Sequence, residues 1–341
     1  MSSERRKERI DRCIKAVTDD IFCVCSLREI AYLVVPRMLP IVGVLLLAFF
    51  VPPYWKKVLV ITFMMTMMAL SWDFMTSCGL ISLGQALFFA MGGYSAGSLN
   101  HYLGLPFYLS IPLGTLMGAT ISTLLIFPAL RLRGIYFSMV TLIIPLMLLR
   151  VVEVTKIMGG TEGLTALAPL PPIAYTLAIS MAAMWLTFFG LRRFINSDYG
   201  LIFMALKDND RAVEAAGLNI VWFKVQAVFI GSGICAFCGA FMTHYYMSVG
   251  MSAFALDLSL FPIASSVVGG MGTIAGPLLG SLLLGPLSEA LRSFGTFRIV
   301  IYAALLAGFT TALPEGIFHY LARKYHQIER WVEVPSGVSE D

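Results

Sequence analysis

Charged side chains are scarce in this sequence. Asp, Glu, Lys and Arg supply 13% of its 341 residues, against roughly 25% in an average soluble domain. No stretch combines a core pattern with a polar exterior, which excludes the two soluble domains that length alone suggests. Histidine is equally sparse: His101, His244, His319 and His326 stand apart, with no HExxH spacing and no carboxylate placed to complete a metal site. No GxxxxGK[ST] run occurs, so ATP hydrolysis is not expected in this chain. A membrane-bound transferase would need His or carboxylates clustered at one interface, and none are clustered. The cysteines are Cys13, Cys23, Cys25, Cys78, Cys235 and Cys238. Only the last two are close, inside an apolar run, where that spacing reads as small buried residues on one helix face rather than a redox or metal pair. No secretory signal is evident, because the first apolar run begins near Ile30 after a charged segment and lacks a small-residue cleavage pattern; the amino-terminal segment is expected to be retained.

What the sequence has instead is apolar length. Hydrophobic residues make up 58% of it, with 30 glycines and 19 methionines, and mean hydropathy is +0.82. In lipid, small residues let helices approach closely and methionine fills irregular gaps. Runs long enough to cross a bilayer, about 20 apolar residues each, lie near 30–51, 58–78, 106–130, 134–152, 172–191, 222–247, 274–291 and 297–313. Two more crossings are irregular. Residues 79–100 are glycine-rich and polar at their start, which reads as broken or re-entrant backbone, and residues 255–270 open on Asp257 and contain Pro262. Interrupted backbone at membrane depth survives only where protein or a wet cavity surrounds it. The prediction is an all-α integral membrane protein of about ten transmembrane helices, with a cytoplasmic amphipathic segment at 1–29, a membrane domain at 30–313 and a cytoplasmic tail at 314–341.

Charge asymmetry orients the bundle. With both termini inside, Lys56, Lys57, Arg150, Lys156, Arg292 and Arg298 fall outside, Arg37 lies within the first span, and the rest of the 24 Lys and Arg residues fall inside, as the positive-inside rule requires. Arg131 and Arg133 are expected to anchor a tight inner turn in the phosphate region, bent at Gly134, with a specific gating role as the alternative. Residues 1–29 mix both signs at loosely helical spacing, which predicts an amphipathic surface helix.

The one sizeable polar excursion is 192–224. Ser197 or Asp198 caps a helix through Leu206, Asn209 caps a second with Asp210 in its first turn, and Gly217 ends it. The second helix carries Arg211, Ala212, Glu214, Ala215 and Ala216. Small side chains suit a helix that sits deep in a partner's groove and transmits a push; an ordinary surface loop is the alternative.

Polar groups at membrane depth normally face the bundle interior. Asp73, Ser82, Gln85 and Tyr94 are therefore candidates for a translocation path. Gln85 either hydrogen-bonds a passing polar group or satisfies broken backbone nearby, and Asp73 is expected to hold loop amides more readily than a substrate amine. The outer loop Gly159, Gly160, Thr161, Glu162, Gly163 either approaches a ligand or docked partner closely or is a plain tight turn. Glu153, Glu162 and Lys156, with Asp257 and Glu289, are expected at the outer rim, where charges steer and orient. Gly272, Gly276 and Gly280 recur as on one helix face, the geometry of close packing; a dinucleotide site lacks its strand and acidic residue.

Five motifs in order give the chain a resemblance. "GLISLGQALFFAMGGYSAG" (79–97), "PALRLRGIYFSMVTL" (128–142), "GGTEGL" (159–164), "ALKDNDRAVEAAGLN" (205–219) and "GGMGTIAGPLLGSLLLGPLSEALR" (269–292) resemble the LivM-type permease subunits of branched-chain amino acid ABC importers, over roughly residues 60–315. The second motif is the mark that favours LivM over its sister LivH type, and the fourth is similar to a degenerate EAA coupling segment, with Arg211 to Gly217 in its register. The resemblance implies the ABC importer permease fold in a bacterial or archaeal cytoplasmic (inner) membrane. It also implies a LivH-type permease partner, two LivG/LivF-type ATPase subunits that hold ATP and Mg, and a periplasmic substrate-binding protein. No cofactor, metal or nucleic-acid partner is expected of this chain itself. Gln85 stands where that family usually has histidine, Asp73 where it has asparagine, and Met158 where it has threonine, so amides, urea and organic acids stay open beside branched-chain amino acids. The competing reading is an ion-coupled secondary transporter, which would need titratable groups cycling near the membrane centre.

Overall fold

A computed structural model describes residues 5–9, 52–132 and 134–294, with shorter stretches between 301 and 333. The chain divides into two units, the larger running Pro52–Ile317. Among the described residues of the larger unit the helices run, in order, α1 (Pro53–Ser77), α2 (Gln85–Leu103), α3 (Phe107–Ile126), α4 (Ile135–Thr155), α5 (Ile173–Ile195), α6 (Asp198–Asp208), α7 (Asp210–Ala215), α8 (Ile220–Tyr246), α9 (Asp257–Gly269) and α10 (Ala275–Ala290). Among the described residues, six stretches are long and apolar enough to cross a membrane: Pro53–Ser77, Phe107–Arg131, Ile135–Thr155, Ile173–Ile195, Ile220–Tyr246 and Met251–Gly269. The protein is a multi-pass membrane protein. Two of the expected crossings, 30–51 and 297–313, lie wholly or largely outside the described residues.

Local chemistry sets the helix ends. Pro52 and Pro53 open α1, where a missing amide hydrogen costs nothing. Gly104, left-handed, closes α2 with its N–H on the carbonyls of Asn100 and Leu99. The irregularity expected over 79–100 is confined to the break between α1 and α2, after which α2 is regular for 19 residues. The second expected irregular crossing also differs: α9 runs unbroken through Pro262.

The core is α2, packed between α3 and α8 at backbone contact. A Cβ on Gly92 would lie 2.1 Å from the carbonyl oxygen of Ala236 on α8, and one on Gly118 of α3 would lie 2.7 Å from the backbone of Gly92. In lipid, helices associate by such packing rather than by expelling water. The same device joins α10 to α9, where a Cβ on Gly280 would meet the Ser265 carbonyl oxygen at 2.0 Å. Gly272 departs from the expected stripe. It lies in the turn before α10 with φ +80°, because the helix starts only at Ala275.

Loops gather at two opposite ends of the bundle. One end holds the 78–84 break, the 127–134 turn, α6 and α7, and the 270–274 turn; the other holds 156–172 and 247–256. Thus Arg131, Arg192, Arg193, Lys207, Arg211 and Lys224 share the first end, and Lys56, Lys57, Arg150 and Lys156 lie at the second.

The smaller unit contains β1 (Arg5–Arg9), antiparallel to β2 (Glu329–Glu333), with Arg5 opposite Glu333 and Arg9 opposite Glu329. It also contains all but the first residue of α11 (Ile317–His326). Residues 5–9 are therefore extended where a helix was expected across 1–29, their amide and carbonyl groups being matched by the partner strand. Residues 10–29 lie outside the described residues.

Candidate functional site

The excursion 192–224 folds as its residues dictate. Ser197 precedes α6 in extended conformation, although its hydroxyl donates back to the Phe194 carbonyl at 2.5 Å instead of capping. α6 runs two residues past Leu206, with Asp198 in its first turn and Lys207 in its last, both favourable to the helix dipole. The buried Phe203 seats α6: its ring centroid lies 5.9 Å from Phe74 on α1, 5.7 Å from Phe194 on α5 and 6.2 Å from Phe223 on α8. Asn209 caps α7, its Oδ1 accepting from Arg211 N at 3.1 Å and Ala212 N at 3.3 Å. Gly217, at φ +81°, ends it. Its N–H donates to the Glu214 carbonyl at 2.9 Å and the Leu218 N–H donates to the Val213 carbonyl at 3.3 Å, the paired bonds of a Schellman stop.

Arg211, Ala212, Glu214, Ala215, Ala216 and Gly217 are exposed, and Val213 alone turns inward. Asp210 instead reaches Lys224 on α8, whose Nζ donates to Oδ2 at 2.9 Å. Residues 206–211 and Lys224 line a cleft of about 390 Å³ together with Gly79, Leu80, Leu132, Gly134 and Phe137.

The four path candidates meet different partners. Asp73 is fully buried and accepts from Gly272 N at 2.6 Å and Ile274 N at 3.0 Å, so its carboxylate holds the 270–274 turn. The Ser82 hydroxyl accepts from Gly84 N at 3.2 Å, and its carbonyl accepts from Trp72 Nε1 at 2.7 Å. Gln85 accepts the Cys235 thiol at 2.8 Å through Oε1, while its buried Nε2 has no hydrogen-bond partner among the described residues. Tyr94 tilts against Phe254 at 5.6 Å, with its buried hydroxyl also unpartnered among the described residues.

Gln85 therefore does not satisfy the broken backbone; residues missed in the sequence do. Leu83 N donates to Thr141 Oγ1 at 3.1 Å, Ala86 N donates to Ser259 Oγ at 2.9 Å, and Ser138 Oγ donates to the Ile81 carbonyl at 2.6 Å. Ser138 and Thr141 lie in the stretch that follows Gly134, three apart on one helix face, which is the signal that could have found them.

At the opposite end, Gly159, Gly160 and Gly163 all adopt positive φ. Leu164 and Val249 exchange backbone hydrogen bonds at 2.8 and 2.9 Å, and a Cβ on Gly163 would lie 2.2 Å from the Val249 carbonyl oxygen. The glycine loop is thus strapped to the segment after α8, leaving Thr161 and Glu162 exposed. Behind the strap, His244 bridges the Ala168 carbonyl (Nδ1, 2.8 Å) and Ser110 Oγ (Nε2, 2.5 Å). A carbonyl can only accept, so Nδ1 carries the proton and Ser110 donates to Nε2. Of the expected rim charges, Glu153 pairs with Arg150 at 2.6 Å, Asp257 lies in the first turn of α9, and Glu289 accepts from Tyr54.

Residues 54–310, a span that covers the capped segment, the break and the glycine loop, match the family described as "Branched-chain amino acid transport system / permease component". The chain belongs to that family. Among its relatives is the "High-affinity branched-chain amino acid transport system permease protein LivM" of Escherichia coli, 27% identical over 273 residues, which are 70% of this chain and 64% of that one. The chain thus spans less than two thirds of that relative's length. Two proteins of Methanocaldococcus jannaschii are each 24% identical. The "Probable branched-chain amino acid transport permease protein LivM" matches over 60% of this chain and 66% of its own length, and the corresponding LivH over 62% and 71%. No solved structure matches the chain. Within this permease family the likeness is LivM-type.

Proposed function

We propose that this chain is one transmembrane permease subunit of an ATP-driven ABC importer for branched-chain amino acids or a related small polar or organic-acid substrate. It pairs with a LivH-type permease and rests on two LivG/LivF-type ATPase subunits, where ATP and Mg reside. It receives substrate from a periplasmic binding protein and releases it inside by alternating access. The runs 30–51 and 297–313, with α2 and α10, bring the bundle to about ten crossings. Both termini and α6–α7 face the cytoplasm of a bacterial or archaeal cell, in keeping with the basic residues at that end.

The observation that carries this reading is α7: a helix of six residues, capped at both ends, that turns Val213 inward and presents Ala212, Ala215 and Ala216 outward. Such a helix fits a partner's groove without flexible side chains to absorb a push. An ion-coupled carrier is disfavoured by the buried Asp73, whose two oxygens are both held by backbone N–H groups of the 270–274 turn. Co-purification from mild detergent tests the reading. A second permease and two ATPases should accompany the chain, and substrate movement by the isolated chain would refute it.

A further inference from the structure

α11 (Ile317–His326) begins where the chain leaves the membrane domain. The apolar run 297–313 ends just before it, and Gly316, at φ +86°, packs so closely on the 270–274 turn that a Cβ there would lie 2.4 Å from Gly270 Cα. Asp73 holds that turn, so the start of the helix is pinned at one end of the bundle. Gly316 and Ile317 belong to the larger unit, and the remainder of α11 to the smaller. The helix is two-faced. At about 3.6 residues per turn, Ile317, Phe318, Leu321 and Ala322 share one side, while His319 and Arg323 lie opposite. Leu321 is central to the apolar side yet 51% exposed, and Tyr320, at its edge, is 39% exposed. Lys324 Nζ stands 6.0 Å from the centre of the Tyr320 ring. Tyrosine and lysine together at such a boundary suit the level of lipid headgroups, where each keeps an apolar body in hydrocarbon and a polar tip in water.

Position and charge favour lipid as the cover for Leu321. The helix has ten residues and extends about 15 Å, so it stays close to the bilayer surface at which it starts. It carries Arg323 and Lys324 and no acidic residue, and β1 of the same unit adds Arg5, Arg6, Lys7 and Arg9 against a single Glu. A basic amphipathic helix lies in the interface plane with its apolar side among acyl chains, and basic residues near the surface are drawn to anionic headgroups. We propose that α11 is an interfacial helix that seats Leu321 and Tyr320 among acyl chains and Lys324 among the phosphates of anionic lipid, so that an anionic membrane surface, not a protein partner, holds this segment. The inference goes beyond the importer reading and is independent of it, since it needs only this chain and a bilayer.

The test uses the full chain, with any co-purified partners, in vesicles of equal amounts of phosphatidylcholine and phosphatidylglycerol. Leu321→benzoylphenylalanine supplies a photoreactive probe, and mass spectrometry identifies its adducts. Lipid adducts are expected, with phosphatidylglycerol enriched about fivefold over phosphatidylcholine at about 0.1 M salt and the enrichment lost at about 1 M, where charges are screened within about 3 Å. Lys324→Glu should abolish the enrichment while leaving the lipid adducts and the melting temperature in place. The same probe at His319, on the opposite side, should give few lipid adducts. Adducts from position 321 to protein, whether this chain or another, overturn the proposal. So do lipid adducts that match the bulk lipid ratio at both salt concentrations, an enrichment that survives Lys324→Glu, or equal lipid labelling from positions 319 and 321.

Discussion

At the scale of single residues, several polar groups in this bundle hold backbone, whereas Gln85 Nε2 and the Tyr94 hydroxyl meet no partner among the described residues. Ser138, Thr141, Ser259 and Asp73 each satisfy groups freed by a break or turn. Removing such a partner strands a buried donor or acceptor at about 1–3 kcal/mol. Thr141→Val and Ser259→Ala are accordingly expected to lower thermal stability in detergent. Gln85→Leu is expected to lower the melting temperature less than Thr141→Val, since only the Cys235 thiol loses an acceptor, and to reduce uptake. A stability loss at Gln85 as large as at Thr141 would contradict the distinction. Gly163→Ala combines a positive φ with a Cβ 2.2 Å from a carbonyl oxygen and should cost at least about 1–3 kcal/mol, read as a drop in melting temperature.

At the scale of elements, the caps of α7 were legible in the sequence because they are local. Asn209 before an acidic first turn and Gly217 after alanines specify a short helix without reference to the rest of the chain. The Asp210–Lys224 pair was not legible, since it joins residues 14 apart on two helices whose crossing is set by tertiary packing. The break at 78–84 was visible from its glycines, but its hydroxyl supports come from α4 and α9, far away in sequence. Gly272 was misplaced because a recurrence of four fits a helix and a turn followed by a helix equally well. Asn209→Ala should destabilise α7 by about 1 kcal/mol and reduce ATPase retention. Replacing the outward Ala212 and Ala215 by Trp should leave melting unchanged while abolishing retention, and a co-purification yield equal to the parent's would refute the docking role.

At the scale of the molecule, composition was enough for the membrane class. The apolar runs between 58 and 291 fall within a few residues of the observed helices, because length and hydropathy decide a span before packing does. Composition cannot decide which polar residues share a route, and Asp73, Ser82, Gln85 and Tyr94 turn out to have separate partners. The account as a whole rests on α7 being the face gripped by a nucleotide-driven subunit. Photo-crosslinking from a reactive residue at position 215 in intact cells tests this most directly. The predicted result is an adduct with an ATPase subunit, formed at the cytoplasmic face and protected from impermeant reagents outside. An adduct with lipid alone, or labelling of position 215 from the cell exterior, would contradict it.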